Sequence, residues 1–359
     1  MKTAVQPAPA GIALIIVMIC ITVLSILAAT FALQMKVETK LAMNASSETE
    51  LTWLGRSGVE LARYVLAQQL TINQEPWDSL NQKWAGGPGS LMTSNSPLEN
   101  VSLTDYHLGN GQFSVKITDL ERKVNINVAD QNVLEQALRL VGVDAGDIPS
   151  VAGSILDWID VDDNTHIGGT ESDYYQSLDP PYFAKNKPMD DLSELLFIRG
   201  VTPEIYWGGV ATNHTPAAFQ NKLGLARPGL QELGYPVGLS DIFTPLSTGR
   251  LNINTASLTT LQMIPGVDEN IAAEIIRLRS GPDGADGTED DIPFRNPGEL
   301  VNAGLNNQIV GQITRFCDVR SKTFEVQVDA EVGGYHRHFV AILGRISPKD
   351  VQVLSFYWK

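Results

Sequence analysis

The sequence predicts an α+β protein with a long N-terminal helix, a small antiparallel sheet, and a large, mainly α-helical section inserted into that sheet. Three observations predict it. The chain opens on an uncharged apolar run, Ile12 to Leu33, which passes without a turn residue into a polar stretch that keeps helical spacing. Segments of strand-like alternation flank the middle of the chain, at 112–120 and again beyond residue 322. Between them one pattern occurs twice, as Val124-Asn125-Ile126-Asn127-Val128-Ala129 and as Leu251-Asn252-Ile253-Asn254-Thr255-Ala256.

The apolar run sets the first element. Its 22 residues carry no charge. At ~1.5 Å per residue they make ~33 Å of helix, enough to cross the ~30 Å hydrocarbon core of a bilayer. Val37, Leu41, Leu51, Leu54, Leu61 and Val65 then recur among polar residues as far as Gln69. The expected object is one helix over 12–70, with 12–33 transmembrane. Lys2 is the one positive charge ahead of the span, so the positive-inside bias puts the N-terminus in the cytoplasm and the bulk of the chain on the other side.

Thr71 to Asn110 is broken by Gly86, Gly87, Pro88 and Gly89 and by Ser, Asn and Pro residues, and reads as loop. Gln112–Leu120 alternates as a half-buried strand does. Thr323–Ala330, His336–Ile346 and Val351–Trp358 read the same way, with Gly333 and Gly334 as a hairpin turn. The economical arrangement is one sheet packed on the outer half of the long helix, with 124–318 inserted into it.

Within that section each copy of the pattern leads to a helix carrying Leu134 or Leu261 and a Gly-Val-Asp turn at Gly142–Asp144 or Gly266–Asp268. A second helix follows, then an acidic loop, then a short helix around Glu194-Leu195 or Glu299-Leu300 that ends near Gly200 or Gly304. The copies, about 124–210 and 251–316, read as duplicated helix-hairpin-helix-like units. The second is similar to the module by which non-specific DNA-binding proteins hold phosphate on backbone N–H groups. Here Asp268 stands where the second turn glycine belongs and Glu269 follows it. Residues 251–316 hold nine Asp/Glu against four Lys/Arg, and the whole chain carries a formal charge of -15. Phosphate would be repelled, so the hairpins are expected to pack rather than bind nucleic acid.

Two loops concentrate the acidity. Asp157–Asp173 holds six acidic side chains and no Lys or Arg, which repel unless a cation or solvent neutralises them. From Asp160, oxygens recur at the first, third and fifth positions (Asp160, Asp162, Asn164), with Ile167 at the eighth and Glu171 at the twelfth. This is EF-hand spacing, with Thr165 in the place of the usual glycine. Asp163 and Asp173 are further ligand candidates. The second loop offers Asp283, Asp286, Glu289, Asp290 and Asp291 on a Gly-rich backbone. Oxygen donors without cysteine point to Ca2+, in one or two sites, acting structurally.

No catalytic constellation is present. His107, His166, His214, His336 and His338 stand in no metalloprotease or triad context, and no Walker or dinucleotide motif occurs. Trp158, Trp207, Tyr174, Tyr175 and Tyr182 read as core aromatics. Cys20, in the span, and Cys317, far outside it, are not expected to pair.

The leader Met1–Gly11 followed by the apolar helix resembles a class III, type IV pilin-like signal. The resemblance implies cleavage between Gly11 and Ile12 by a prepilin peptidase. Pilins usually carry Glu at the fifth mature position, as a filament contact, and Ile16 stands there instead. Its absence, the inserted helical section and the wording of Ser172–Tyr206 resemble the minor pseudopilin K family of type II secretion systems. That family implies a pilin-like fold over 71–123 and 319–359. It implies a non-enzymatic tip subunit that joins minor pseudopilins I and J above the major pseudopilin filament and acts in protein export. The implied location is the inner membrane of a Gram-negative cell, single-pass, with the bulk in the periplasm. A type IV pilus minor pilin and a membrane-anchored helix-hairpin-helix DNA-binding protein remain open alternatives.

Overall fold

The computed structural model describes residues 10–89, 96–208 and 237–359, so residues 1–9 of the expected leader lie outside the described residues. Helix α1 runs unbroken from Ala10 to Gln69, the extent that the apolar run and its amphipathic continuation predict. Among the described residues it is the one helix long and apolar enough to cross a membrane. Its side chains are exposed from Ile12 to Ser46, whereas Leu51, Leu54, Ala62, Val65 and Leu66 are buried. The change marks where the sheet begins to cover the helix.

Strands β1 (Tyr106–Leu108) and β2 (Gly111–Asp119) precede the insertion. Within it lie four two-residue strands, β3 (Val124–Asn125), β4 (Phe243–Thr244), β5 (Leu251–Asn252) and β6 (Cys317–Asp318). After it come β7 (Thr323–Val332), β8 (Tyr335–Ser347) and β9 (Asp350–Trp358). The main sheet has the order β1-β2-β7-β8-β9 and is antiparallel at every pairing. Asp119 pairs with Phe324 in register. The chain therefore leaves the sheet beside the point where it re-enters, and a long insertion disturbs no pairing.

Alternation along the strands directs Phe113, Val115 and Ile117 of β2 and Phe324, Val326 and Val328 of β7 into one core with α1. Two glycines set the helix-to-sheet distance. A Cβ on Gly55 would stand 2.5 Å from the Phe339 ring, and one on Gly58 2.5 Å from Val328 Cγ1.

The segment read as loop, Thr71–Asn110, has more structure at its described residues than its composition suggests. β1 pairs with β2 there, and Trp77, Trp84, Leu98 and Leu103 are buried. Trp84 meets Phe324 edge-on at 5.3 Å. Single apolar anchors scattered among turn residues produce no period for a sequence reading to find.

In the insertion, β3 pairs parallel with β4, and β5 with β6. The repeated Asn-Ile-Asn makes the same contacts twice. Asn127 accepts the Met189 N–H at 2.7 Å and donates to its C=O at 3.0 Å, and Asn254 does so with Phe294 at 2.8 and 2.9 Å. Both clamped residues follow an acidic loop, so the motif fastens each loop's return. Helix α2 (Gln131–Val141) is capped by Asp130 and ends at Gly142, φ 99°. Asp268 caps the helix Glu269–Arg279 after Gly266, φ 84°. Trp158 and Tyr175 lie in the first half's core, while Trp207 is half-buried and Tyr174 is 38% exposed.

Candidate metal centre

The site begins with helix α3 (Ile148–Ile159), which packs Val151, Ala152, Ile155 and Trp158 inward. That packing buries Asp157 at the helix end and turns it toward the returning loop. Its Oδ1 accepts the His166 N–H at 2.8 Å and lies 2.6 Å from His166 Nδ1, and its Oδ2 accepts the Thr170 N–H. The loop reaches α3 only because of its glycines. A Cβ on Gly169 would fall 2.1 Å from Asp157 Oδ2, and Gly168 has φ 79°. Asp160 Oδ2 stands 3.5 Å from the same imidazole nitrogen. Asp157, Asp160 and His166 each offer a ligand atom within 4.8 Å of the others, the one such group found among the described residues.

Around this cluster oxygens lack partners. Asp160 Oδ1, both carboxylate oxygens of Glu171 and Asn186 Oδ1 are buried without a hydrogen bond. Asn186 is held against the loop, its amide donating to Asp162 O at 3.1 Å and to Asp163 Oδ1 at 2.8 Å. Burial first, then the charges of Asp157, Asp160, Asp163 and Asp162, pushes the Glu171 carboxyl up to about 7. Asp160 is raised too, by burial and then by Asp162. Buried acceptors without donors and acids that resist ionising are what a bound cation would relieve. The donor set of carboxylate and amide oxygens, with one imidazole, fits a hard divalent ion.

Two observations bear on the EF-hand spacing. Asp162 Oδ1 is occupied by the Asn164 N–H at 2.8 Å and its side-chain amide at 2.7 Å. Ile167 is 86% exposed, where an EF-hand would bury its eighth residue. Asp173 lies in the first turn of the short helix Ser172–Gln176 and lines a surface cleft with Asp163 and Glu171. The sequence reading missed Asp157, His166 and Asn186 as site residues. Asp157 was visible as part of the acidic run, but its burial follows from the phase of α3, and Asn186 arrives from a separate segment.

In the second loop the carboxylates meet donors from the chain itself. Asp286 is bound by Arg279 through Nε at 3.0 Å and Nη2 at 2.5 Å and by Ser280 Oγ at 2.8 Å. Asp283 accepts from Ala285, Asp290 from Asp283 and Asp291 from Gly287, all backbone N–H groups. Glu289 lines a different cavity, with Glu75 and Glu99. A buried guanidinium, that of Arg279, neutralises Asp286. At the other end of the chain, Gly11 falls within α1 and Ile16 is exposed on it.

A family described as type II secretion system protein K matches residues 113–207. The chain is 27% identical over 203 residues to an Escherichia coli (strain K12) protein named for type II secretion system protein K, covering 55% of this chain and 59% of that one. It is 25% identical over 207 residues to type II secretion system protein K of Aeromonas hydrophila, covering 55% and 60%. The alignments thus span about three fifths of the relatives' length. A chain from the crystal structure of the GspK-GspI-GspJ complex of the enterotoxigenic Escherichia coli type 2 secretion system shares the fold. The TM-score is 0.60 at 18% identity, over 87% of this chain and 96% of that chain.

Proposed function

We propose that this chain, a homologue of type II secretion system protein K, is a minor pseudopilin, a single-pass, non-enzymatic subunit at the tip of the pseudopilus that acts in export of folded proteins across the outer membrane. The observation that carries the reading is the extent of the fold likeness. At 87% of the chain it takes in more than the insertion or the remainder alone. In this reading the leader 1–11 is removed between Gly11 and Ile12 by prepilin peptidase. The span 12–33 sits in the Gram-negative inner membrane and the rest is periplasmic. Segments 71–123 and 319–359 form the pilin-like body, and 124–318 arose by duplication of a helix-hairpin-helix-like unit. The paired Asn clamps and the two parallel strand pairs support that origin.

A tip position suits the shape of the chain. A wide lateral insertion is hard to fit between neighbours in a narrow filament, and a terminal subunit has no successor to obstruct. Ile16 agrees, since the first subunit has no neighbour ahead whose amine needs a carboxylate. The partners in this reading are minor pseudopilins I and J, with the major pseudopilin below. The ion at the metal centre is Ca2+, held by ligands drawn from Asp157, Asp160, Asp163, His166, Glu171 and Asn186, and it neutralises the loop rather than performing chemistry. The unpartnered oxygens of Asp160, Glu171 and Asn186 support it.

The test is to co-express the full chain with candidate pseudopilins I and J, extract in mild detergent and separate by size. A 1:1:1 complex is expected. A chain that elutes alone while I and J associate would overturn the reading. A Gly11 substitution should leave the leader uncut, and normal processing of that variant would remove the cleavage assignment.

A further inference from the structure

Where the insertion leaves and rejoins the sheet, separate segments meet in a buried polar joint. β2 and the residues just after it bring Asp119 and Glu121, and the segment after α1 brings Asp78. Asn252 and Thr255 come from the second repeat, Ser321 and Thr323 from the return, and Arg345 from β8 closes the joint; all eight are buried. It holds three carboxylates and one cation. Arg345 Nη2 bonds Asp78 Oδ2 and, at 2.7 Å, Ser321 O, so the cation is spent on Asp78. Neither Asp119 nor Glu121 has an ion-pair partner among the described residues. Lys123 turns its amine to Ser240 O at 2.8 Å, and Arg122 and Lys322 flank the joint along the chain without pairing to either acid.

The hydrogen bonds allow a proton to be stored there. Asp119 Oδ2 is met by Thr255 Oγ1 at 2.6 Å, Ser321 Oγ at 2.6 Å and Asn252 Nδ2 at 3.2 Å, and Oδ1 accepts the Glu121 N–H at 2.8 Å. Glu121 in turn accepts the Thr323 N–H at 2.9 Å and the Thr248 N–H at 3.3 Å. Thr255 Oγ1 also lies 3.4 Å from Asn252 O. A proton taken up on Asp119 Oδ2 can be donated to Thr255 Oγ1 while Thr255 turns its own proton to Asn252 O. Every polar group then keeps a partner, and one of two unpaired buried charges is gone.

We propose that this joint is a proton-operated latch, in which protonated Asp119 locks the insertion onto the sheet and loss of that proton loosens 248–256 and 319–323 from β2. Burial, then the Glu121 charge, pushes Asp119 from 3.8 up to about 7, and burial raises Glu121 as well. An acid raised in the folded state adds stability that is complete below its ordinary value and is lost as pH rises to the folded value. The working window therefore runs from 3.8 up to about 7, and the effect levels off above it.

The experiment is hydrogen exchange of the full chain in detergent between pH 5.5 and 8.5, corrected for intrinsic rates and read on peptides covering 76–82, 248–256 and 319–324. Opening in the wild type should rise with pH by up to about tenfold per unit, the one-proton slope, and level off above about 7. Asp119→Asn should flatten the profile. Glu121→Gln, by removing the neighbouring charge, should move the midpoint to lower pH. An Asp119→Asn profile that matches wild type would overturn the latch. If that variant does not fold, the Glu121→Gln midpoint decides, and an unmoved midpoint overturns it equally.

Discussion

Glu171→Gln, compared with wild type in calcium and in a chelator, tests the metal centre most sharply. Four oxygens, from Asp160, Glu171 and Asn186, are buried without partners in the chain, and without an ion each costs about 1–3 kcal/mol. An ion present at a hundred times its dissociation constant stabilises the fold by ~2.7 kcal/mol. For a body of this size each kcal/mol moves the melting temperature by about 2–4 °C, so calcium should raise it by about 5–11 °C. The assay is thermal melting of the full chain in detergent, with calcium or with EGTA.

Glu171→Gln should lose the calcium shift and yet melt no lower than wild type in EGTA, because the neutral amide removes a charge the empty site cannot accommodate. The pH dependence in EGTA has a definite sign. With the Glu171 carboxyl at about 7 against an ordinary 4.5, wild type should lose stability as pH rises between those values, by at most about 3 kcal/mol. The variant should not follow it. Equal melting of wild type in calcium and EGTA, or a full calcium shift in Glu171→Gln, would refute the site.

Four structural substitutions have predictable costs. Gly58→Ala pushes a methyl into Val328 and should cost about 1–3 kcal/mol, read as a lower urea midpoint; no change would mean that the glycine does not set the approach of helix and sheet. Asn127→Ala strips partners from the N–H and C=O of buried Met189, at ~1–3 kcal/mol for each group. Asn254→Ala at Phe294 should cost the same within error, and a large difference between the two would argue against equivalent clamps. Arg345→Met leaves Asp78 charged and buried, a loss of about 3–5 kcal/mol. Adding Asp78→Asn should recover part of it, and absence of coupling would mean that the pair is not held as described.

Periodicity carried most of the fold into view. The long helix, four of the five main strands and the Gly333-Gly334 turn follow from apolar spacing and from glycine, both local properties of the chain. β1 did not, because three residues held by pairing to β2 have no pattern of their own. The repeated Asn-Ile-Asn was legible as a repeat but not as a clamp, since Met189 and Phe294 lie 62 and 40 residues away. The buried joint was invisible for the same reason. Asp78, Asp119, Asn252 and Arg345 are each ordinary in their own sequence neighbourhood, and only the return of the chain to its point of departure brings them together.

The two acidic loops differ in what meets their carboxylates. Both follow a helix and end in a residue clamped by asparagine, and both must neutralise crowded acids. In the second, the preceding helix ends in Arg279, which is 4% exposed and also holds Ile253 O and Ala256 O. Its guanidinium reaches Asp286, and Asp286 is held below its ordinary value despite its burial. That loop carries its cation within the chain. The first loop has no Lys or Arg from Asp157 to Asp173, and its preceding helix places Trp158 beside Asp157. With burial unrelieved by a fixed positive charge, Glu171 rises instead of falling. The difference in sign between Asp286 and Glu171 separates a loop completed by its own arginine from one whose crowded acids have none within the loop.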